Sequence, residues 1–184
     1  MGILINRRFF AWAAAGLLFG GPSAAAAPTE YEVKAVFLFN FSQFVDWPAH
    51  AFPDEQAPLV IGVLGEDPFG AALDELVRGE TVHGRRLEVR RYQDVENIDV
   101  CHILFIDRSR RGRLERILSE LDNRAVLTVG DSEDFARTGG IIEFVTIDNR
   151  IRLQINLDAA RLAELTISSK ILRPATIVAT DKAR

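Results

Sequence analysis

Residues 59–70 read LVIGVLGEDPFG, an unbroken apolar run followed directly by a turn. Such a run is typical of a β-strand that is covered on both faces, as in a parallel sheet. Asp67 and Pro68 favour the start of a helix, with Asp67 as the N-cap and Pro68 in the first turn. This stretch therefore predicts a buried strand over 59–64 and a helix that continues to about Val77.

Two further stretches repeat the pattern of a buried strand followed by a helix-length segment. They are residues 101–106 (CHILFI) and 125–129 (AVLTV). Apolar residues at helical spacing over 114–121 predict a helix after the first, and a short helical piece near Phe135 is predicted after the second. The alternating, β-rich stretch 87–92 predicts one more strand.

After these strands the sequence predicts a β-hairpin and two closing helices. Residues 141–147 and 151–155 are β-rich runs around Asp148-Asn149, the composition of a tight hairpin turn. Asp158 can cap a first closing helix, and a second one stops before Pro174. The order of elements predicts one α/β domain over 27–184, with three layers, a mostly parallel sheet flanked by helices, and an antiparallel hairpin near the C-terminus.

The first predicted helix of this domain covers Glu30 to Asp46 and is rich in phenylalanine. At about 100° per residue, one face consists of Val33, Phe37, Asn40 and Phe44. Phe39 points away from that face, so the helix is covered on two sides, either by the sheet and the closing helices or partly by another protein. The candidate partner-binding residues are Phe37, Phe39, Phe41, Phe44 and Trp47.

Ahead of this helix, residues 1–26 have the three parts of a secretory signal peptide. Arg7 and Arg8 precede an apolar run from Phe9 to Phe19, and small residues lead to Ala26. The run is shorter than the roughly 20 residues that span a bilayer. We therefore expect export to the periplasm and cleavage near Ala26.

Composition narrows the possible partners. Without residues 1–26 the chain carries 20 basic and 26 acidic residues, a net charge of −6. Nucleic acid is not an expected partner, because binding it depends on Lys and Arg at phosphates. Cys101 is the single cysteine, so no disulfide can form within the chain, and its apolar surroundings predict a buried, unreactive thiol.

The carboxyl ends of parallel strands meet at one edge of a sheet, and the candidate ligand-binding residues there are Gly65, Asp67, Asp107 and Asp131. One interpretation is an acidic pocket for Mg²⁺ or Ca²⁺, or a phosphorylation site at Asp107. The other is that these acids cap helices and turns, Asp131 included, as their positions favour. A small-molecule site at this edge is the alternative to a protein-binding function.

Catalytic motifs are absent from the sequence. The glycines of 65–70 match neither a dinucleotide-binding nor a Lys-Ser/Thr phosphate loop. No Gly-x-Ser-x-Gly nucleophile motif occurs, and His50, His83 and His102 lack the spacing of zinc ligands. The sequence therefore predicts neither an enzyme nor a bound metal or cofactor.

Seven blocks of the sequence, taken together and in order, resemble one family. The blocks are YEVKAVFLFNF (31–41), FVDWP (44–48), GVLGEDPFG (62–70), CHILFI (101–106), LTVGD (127–131), IN (155–156) and ISSKIL (167–172). They resemble the YfiR-like family of bacterial periplasmic proteins over nearly all of the chain after the leader.

The resemblance implies a non-catalytic periplasmic regulator and a homodimer. Its partner is expected to be the periplasmic part of an inner-membrane receptor or diguanylate cyclase, whose repression lowers cyclic-di-GMP and biofilm formation. An outer-membrane lipoprotein is expected to titrate the regulator. Some members carry paired cysteines, whereas this chain has only Cys101.

Overall fold

A computed structural model describes residues 27–181, so the predicted signal peptide at 1–26 lies outside the described residues. The strands are β1 Val45–Asp46, β2 Leu59–Leu64, β3 Thr81–Val82, β4 Arg85–Tyr92, β5 Ile103–Ile106, β6 Leu127–Gly130, β7 Ile142–Ile147, β8 Arg150–Asn156, β9 Thr166–Ile167 and β10 Thr176–Val178. The α-helices are α1 Glu30–Phe44, α2 Ala71–Val77, α3 Leu114–Glu120, α4 Leu157–Leu162 and α5 Ser169–Leu172. Short 3₁₀ helices cover 49–51, 95–97 and 108–113.

Eight of these strands form one sheet in the order β10-β8-β7-β6-β5-β2-β4-β3. Strands β4, β2, β5, β6 and β7 run parallel, β7 and β8 form the antiparallel hairpin, and β10 adds parallel to β8. Every residue of β2, β5 and β6 is buried, which is why these strands read as continuous apolar runs. The predicted hairpin turn at Asp148-Asn149 takes positive φ at both positions.

Apolar cores lie on both faces of the sheet. One face packs against α1, α2 and the C-terminal helices through residues such as Leu38, Leu73 and Ile171. The other packs against α3 through residues such as Leu104 and Ile117. The predicted three-layer α/β architecture is confirmed. Within residues 27–181, no helix combines the length and apolar character needed to cross a bilayer.

The predicted face of Val33, Phe37, Asn40 and Phe44 is only partly buried, and the most buried face of α1 lies more than about 100° around the helix from it. The buried residues of this helix are Lys34, Ala35, Leu38, Phe41 and Ser42. Two of them are polar, which is why a count of apolar residues misplaced the face. The helix begins with a capping box between Thr29 and Glu32, and it ends at Phe44 because Val45–Asp46 pair with β9 as strand β1.

Three other helix predictions need correction. Helix α2 begins at Ala71 with Gly70 as its N-cap, so Asp67 and Pro68 precede it. Helix α4 is capped by Asn156, whose side chain accepts from the Ala159 N–H, and not by Asp158. The segment near Phe135 is a series of turns rather than a helix.

Two glycines make room for Phe135, which is fully buried. A Cβ atom at either Gly130 or Gly140 would overlap the Phe135 ring. The absence of side chains at these two positions therefore lets the ring pack directly against the end of β6.

Candidate functional site

The sheet topology creates a crevice at its C-terminal edge. From β2 the chain passes to β4 on one side, and it then crosses to β5 on the other side of β2. The loops that follow β2 and β5 therefore diverge toward opposite faces. In open α/β sheets such a switch point is the usual place for a ligand.

The candidate residues Gly65, Asp67 and Asp107 lie at this edge. Asp67 Oδ1 accepts from the Phe69 N–H at 2.8 Å, and its Oδ2 accepts from Arg91 Nε at 2.7 Å. Asp107 is buried, and it caps the 108–113 turn by accepting from the Ser109 N–H at 2.8 Å. Both carboxylates therefore have partners within the chain.

The fourth candidate, Asp131, follows β6 and is the centre of a buried ionic cluster. Its Oδ2 accepts from Lys34 Nζ at 2.6 Å, from Tyr31 Oη at 2.9 Å and from Arg108 Nη2 at 2.9 Å. The Lys34 and Asp131 side chains are each only 1% exposed, and Lys34 also pairs with Glu30 at 2.6 Å. Asp131 is therefore an ion-pair partner and not the predicted cap.

The charges of the cluster are fixed at neutral pH. Burial raises the pKa of Asp131, but hydrogen bonds from Lys34 and Arg108 outweigh it and hold the pKa below its ordinary value. Burial, with the hydrogen bond to the Asp131 carboxylate, raises the pKa of Tyr31 to about 12. The cluster consists of two carboxylates, Asp131 and Glu30, two cations and a neutral phenol, which suits a structural link between α1 and the sheet rather than proton transfer.

Sequence reasoning missed Tyr31, Lys34 and Arg108. Tyr31 and Lys34 are three residues apart on α1, so they share a helix face, and a lysine inside an aromatic helix was the available clue. Their acceptor follows about 100 residues later, and sequence spacing does not encode that pairing.

A second feature of this edge is a cleft of about 300 Å³, here called the arginine cleft. Apolar residues Leu64, Val95 and Ile117 line it together with polar residues Gln93, Arg110 and Arg113. A neighbouring hollow of about 530 Å³, bounded by Gly65 to Asp67 and Ser109, shares Gln93 and Arg110 with the cleft. Arg110 thus stands between the two spaces.

The partner-binding candidates on and just after α1 are buried or partly buried. Phe41 is 1% exposed and stacks on Phe144, with ring centroids 6.0 Å apart, so its ring is a core element. Phe37, Phe39, Phe44 and Trp47 are partly buried and pack against the same core. The most exposed apolar residue of this helix is Val36, at 46%.

Trp47 belongs to a structural cluster around His102 at the opposite edge of the sheet. Its Nε1 donates to the His102 carbonyl at 3.1 Å. His102 Nδ1 accepts from the Val60 N–H at 3.0 Å, its Nε2 lies 3.1 Å from the Ala51 carbonyl, and the Phe52 ring stacks on it. These bonds fix a neutral imidazole with the proton on Nε2, and burial lowers its pKa to about 4.

Cys101 is buried, as its sequence context predicts, and burial raises the pKa of its thiol to about 12. Across residues 27–181, no group of three or more His, Cys, Asp or Glu residues is arranged to hold a metal ion. The C-terminal edge of the sheet therefore carries the ion pairs of Asp67 and Asp131 and, beside them, the arginine cleft.

Two solved structures are similar to part of this chain. A conserved domain protein from Vibrio cholerae is 15% identical with a TM-score of 0.45, and it aligns over 64% of this chain and 54% of its own. The ABC domain in complex with L-Trp from Streptococcus pneumoniae is 13% identical with a TM-score of 0.48, over 65% of this chain and 55% of its own. This chain therefore spans about half the length of each.

No curated protein matches the chain in sequence. The sequence profile described as YfiR/HmsC-like matches residues 31–176, from the first turn of α1 to the start of β10. The match covers strands β1 to β9, the arginine cleft, and Tyr31, Lys34, Arg108 and Asp131 of the ionic cluster. The chain belongs to the YfiR/HmsC-like family.

Proposed function

We propose that this protein is a non-catalytic periplasmic regulator that binds the periplasmic part of an inner-membrane signalling protein. The observation that carries this proposal is the family match over residues 31–176. The three-part leader at 1–26 supports export, and the acidic net charge is consistent with a protein partner rather than nucleic acid.

The partner that the family favours is a diguanylate cyclase, which the regulator represses. Binding would stabilise the inactive conformation of the receptor, and removal of the regulator would release it. Lower cyclic-di-GMP and reduced biofilm formation would follow. An outer-membrane lipoprotein would compete for the regulator, and a homodimer is the proposed state of the free protein.

We place the contact with the membrane partner on the outer stripe of α1, defined by Val36, Phe39 and Gln43. These positions are three and four residues apart and therefore share one helix face. Val36 is 46% exposed, Gln43 is exposed, and the Phe39 ring is partly accessible beside them. The accessible parts of Phe37, Phe44 and Trp47 would extend this contact at its margins.

A pull-down from detergent-solubilised inner membranes tests both the partner and the surface. The bait is the mature chain, and the variants are Val36→Glu and Phe39→Glu, which place a carboxylate in an apolar contact. Leu162→Glu on α4 is the matched control, because Leu162 is 82% exposed and lies outside α1. We expect wild type and the Leu162→Glu protein to retain a membrane signalling protein that the Val36→Glu protein loses.

Circular dichroism spectra and melting temperatures would establish that all variants are folded. Failure of the wild type to retain any inner-membrane protein would contradict the proposed function. Equal retention by the wild type and both α1 variants would contradict the proposed surface only.

A further inference from the structure

The arginine cleft has the position and the lining of a ligand site. It opens outside the carboxyl ends of β2, β4 and β5, beside the point where the chain reverses its direction across the sheet. Leu64, Val95 and Ile117 contribute apolar atoms to its lining, although each is less than 8% exposed. Its volume of about 300 Å³ is at the small end of the range for small-molecule sites.

The cations that line the cleft differ in what they contact. Arg116 pairs with Glu96, which also lines the cleft. Within residues 27–181, neither Arg110 nor Arg113 forms an ion pair. Asp94 is the remaining acid of the lining and is exposed to solvent. Two guanidinium groups are thus left facing the cleft without a counter-charge bound to them.

The Arg110 side chain packs against the backbone of Gly65. Gly65 has a φ of +101°, and a Cβ atom there would lie 3.1 Å from Arg110 Cγ and Nε and 3.2 Å from Ser109 Oγ. The glycine therefore lets the arginine stem lie across the end of β2. In this position Arg110 Nε is buried and has no hydrogen-bond acceptor among the described residues. A buried donor without an acceptor is costly, and an anion in the cleft would relieve that cost only if the Arg110 side chain shifted to expose Nε.

We infer that the arginine cleft binds a small organic oxyanion, with Arg110 and Arg113 on its carboxylate or phosphate group and Leu64, Val95 and Ile117 against its apolar part. Carboxylate and phosphate each present two oxygens that can accept a pair of parallel hydrogen bonds from a guanidinium group. This site shares no residue with the outer stripe of α1, so a test of ligand binding here does not depend on the proposed membrane partner.

Isothermal titration calorimetry of the mature protein at low salt tests the inference with two probes, benzoate and phenyl phosphate, which share a ring and differ in the head group. We expect at least one of them to bind with one molecule per chain. Arg110→Gln and Arg113→Gln should each weaken its binding at least about tenfold, because each removes a charge-assisted hydrogen bond. Binding by benzoate alone assigns a carboxylate ligand, and binding by phenyl phosphate alone assigns a phosphate ligand.

The matched control is Arg86→Gln. Arg86 is exposed near the amino end of β4, at the opposite edge of the sheet, and its loss should leave binding unchanged. Arg113 is also exposed, so the Arg113→Gln protein should fold even if the Arg110→Gln protein does not. Absence of binding by both probes, or equal binding by the wild type and the Arg113→Gln protein, would overturn the inference.

Discussion

Removing the Asp131 carboxylate should destabilise the fold by about 3–5 kcal/mol, the usual cost of breaking a buried ion pair from one side. Lys34 and Asp131 are each 1% exposed, with Nζ and Oδ2 2.6 Å apart. In Asp131→Ala the buried ammonium would keep only Glu30, whose side chain is 42% exposed. For a domain of this size the loss corresponds to a fall in melting temperature of roughly 6–20 °C.

Urea denaturation followed by circular dichroism measures this loss as a free energy of unfolding. The control is Asp158→Ala, because Asp158 and Arg161 form an ion pair whose side chains are 70% and 73% exposed. Such a surface pair should contribute less than about 1 kcal/mol. The double variant Lys34→Met with Asp131→Ala should be more stable than Asp131→Ala alone, because no buried ammonium is left without its partner.

This reasoning would be refuted if the free energy of unfolding of Asp131→Ala lay within about 1 kcal/mol of the wild-type value. A double variant less stable than Asp131→Ala would also refute it, since the penalty would then not come from the unpaired Lys34.

Three further outcomes follow from buried groups. The pKa of His102 is lowered to about 4 from an ordinary 6.5, so its contribution to the free energy of unfolding is complete above pH 6.5 and is lost as pH falls toward 4. Between pH 7 and pH 4, the free energy of unfolding measured with urea should fall by about 3 kcal/mol more in the wild type than in His102→Gln. Gly130→Ala should lower the melting temperature by overpacking against Phe135, and adding Phe135→Leu should recover part of the loss. Cys101 should resist a thiol reagent at pH 8 in the folded protein and react once urea unfolds it, because burial raises its thiol pKa to about 12.

The central strands were predictable because a strand that is buried on both faces is apolar at nearly every position. Residues 59–64 and 103–106 are apolar throughout or nearly so, and their order with intervening helical segments identifies a parallel sheet. The hairpin was predictable for a local reason, since Asp148 and Asn149 tolerate the positive φ that its turn requires.

The inner face of α1 was not predictable from hydrophobicity, because a lysine and a serine lie on it. Lys34 is paired with Glu30 on the same helix, but its buried partner is Asp131, 97 residues away at the end of a strand. Ser42 satisfies its hydroxyl locally by donating to the Phe39 carbonyl at 2.6 Å. A polar residue on a buried helix face thus depends on partners that the periodicity of its own segment does not contain.

At the candidate site, the positions of the acidic residues were predictable from the sequence, but their partners were not. The C-terminal edge of the sheet was predictable through Gly65, Asp67, Asp107 and Asp131, since each lies within three residues of the end of a predicted strand. The roles of the acids depend on the cations Lys34, Arg91 and Arg108, which come from other elements. The unpaired Arg110 became visible only when its position over Gly65 was known.

The measurement that tests the proposed function most directly is the cellular level of cyclic-di-GMP with and without this gene. A repressor of a diguanylate cyclase should raise that level when it is deleted, and a plasmid copy of the wild type should restore the original level. A plasmid copy of Val36→Glu should fail to restore it, whereas Leu162→Glu should succeed. An unchanged level in the deletion strain, under conditions in which the protein is produced, would contradict the cyclase-repressor function.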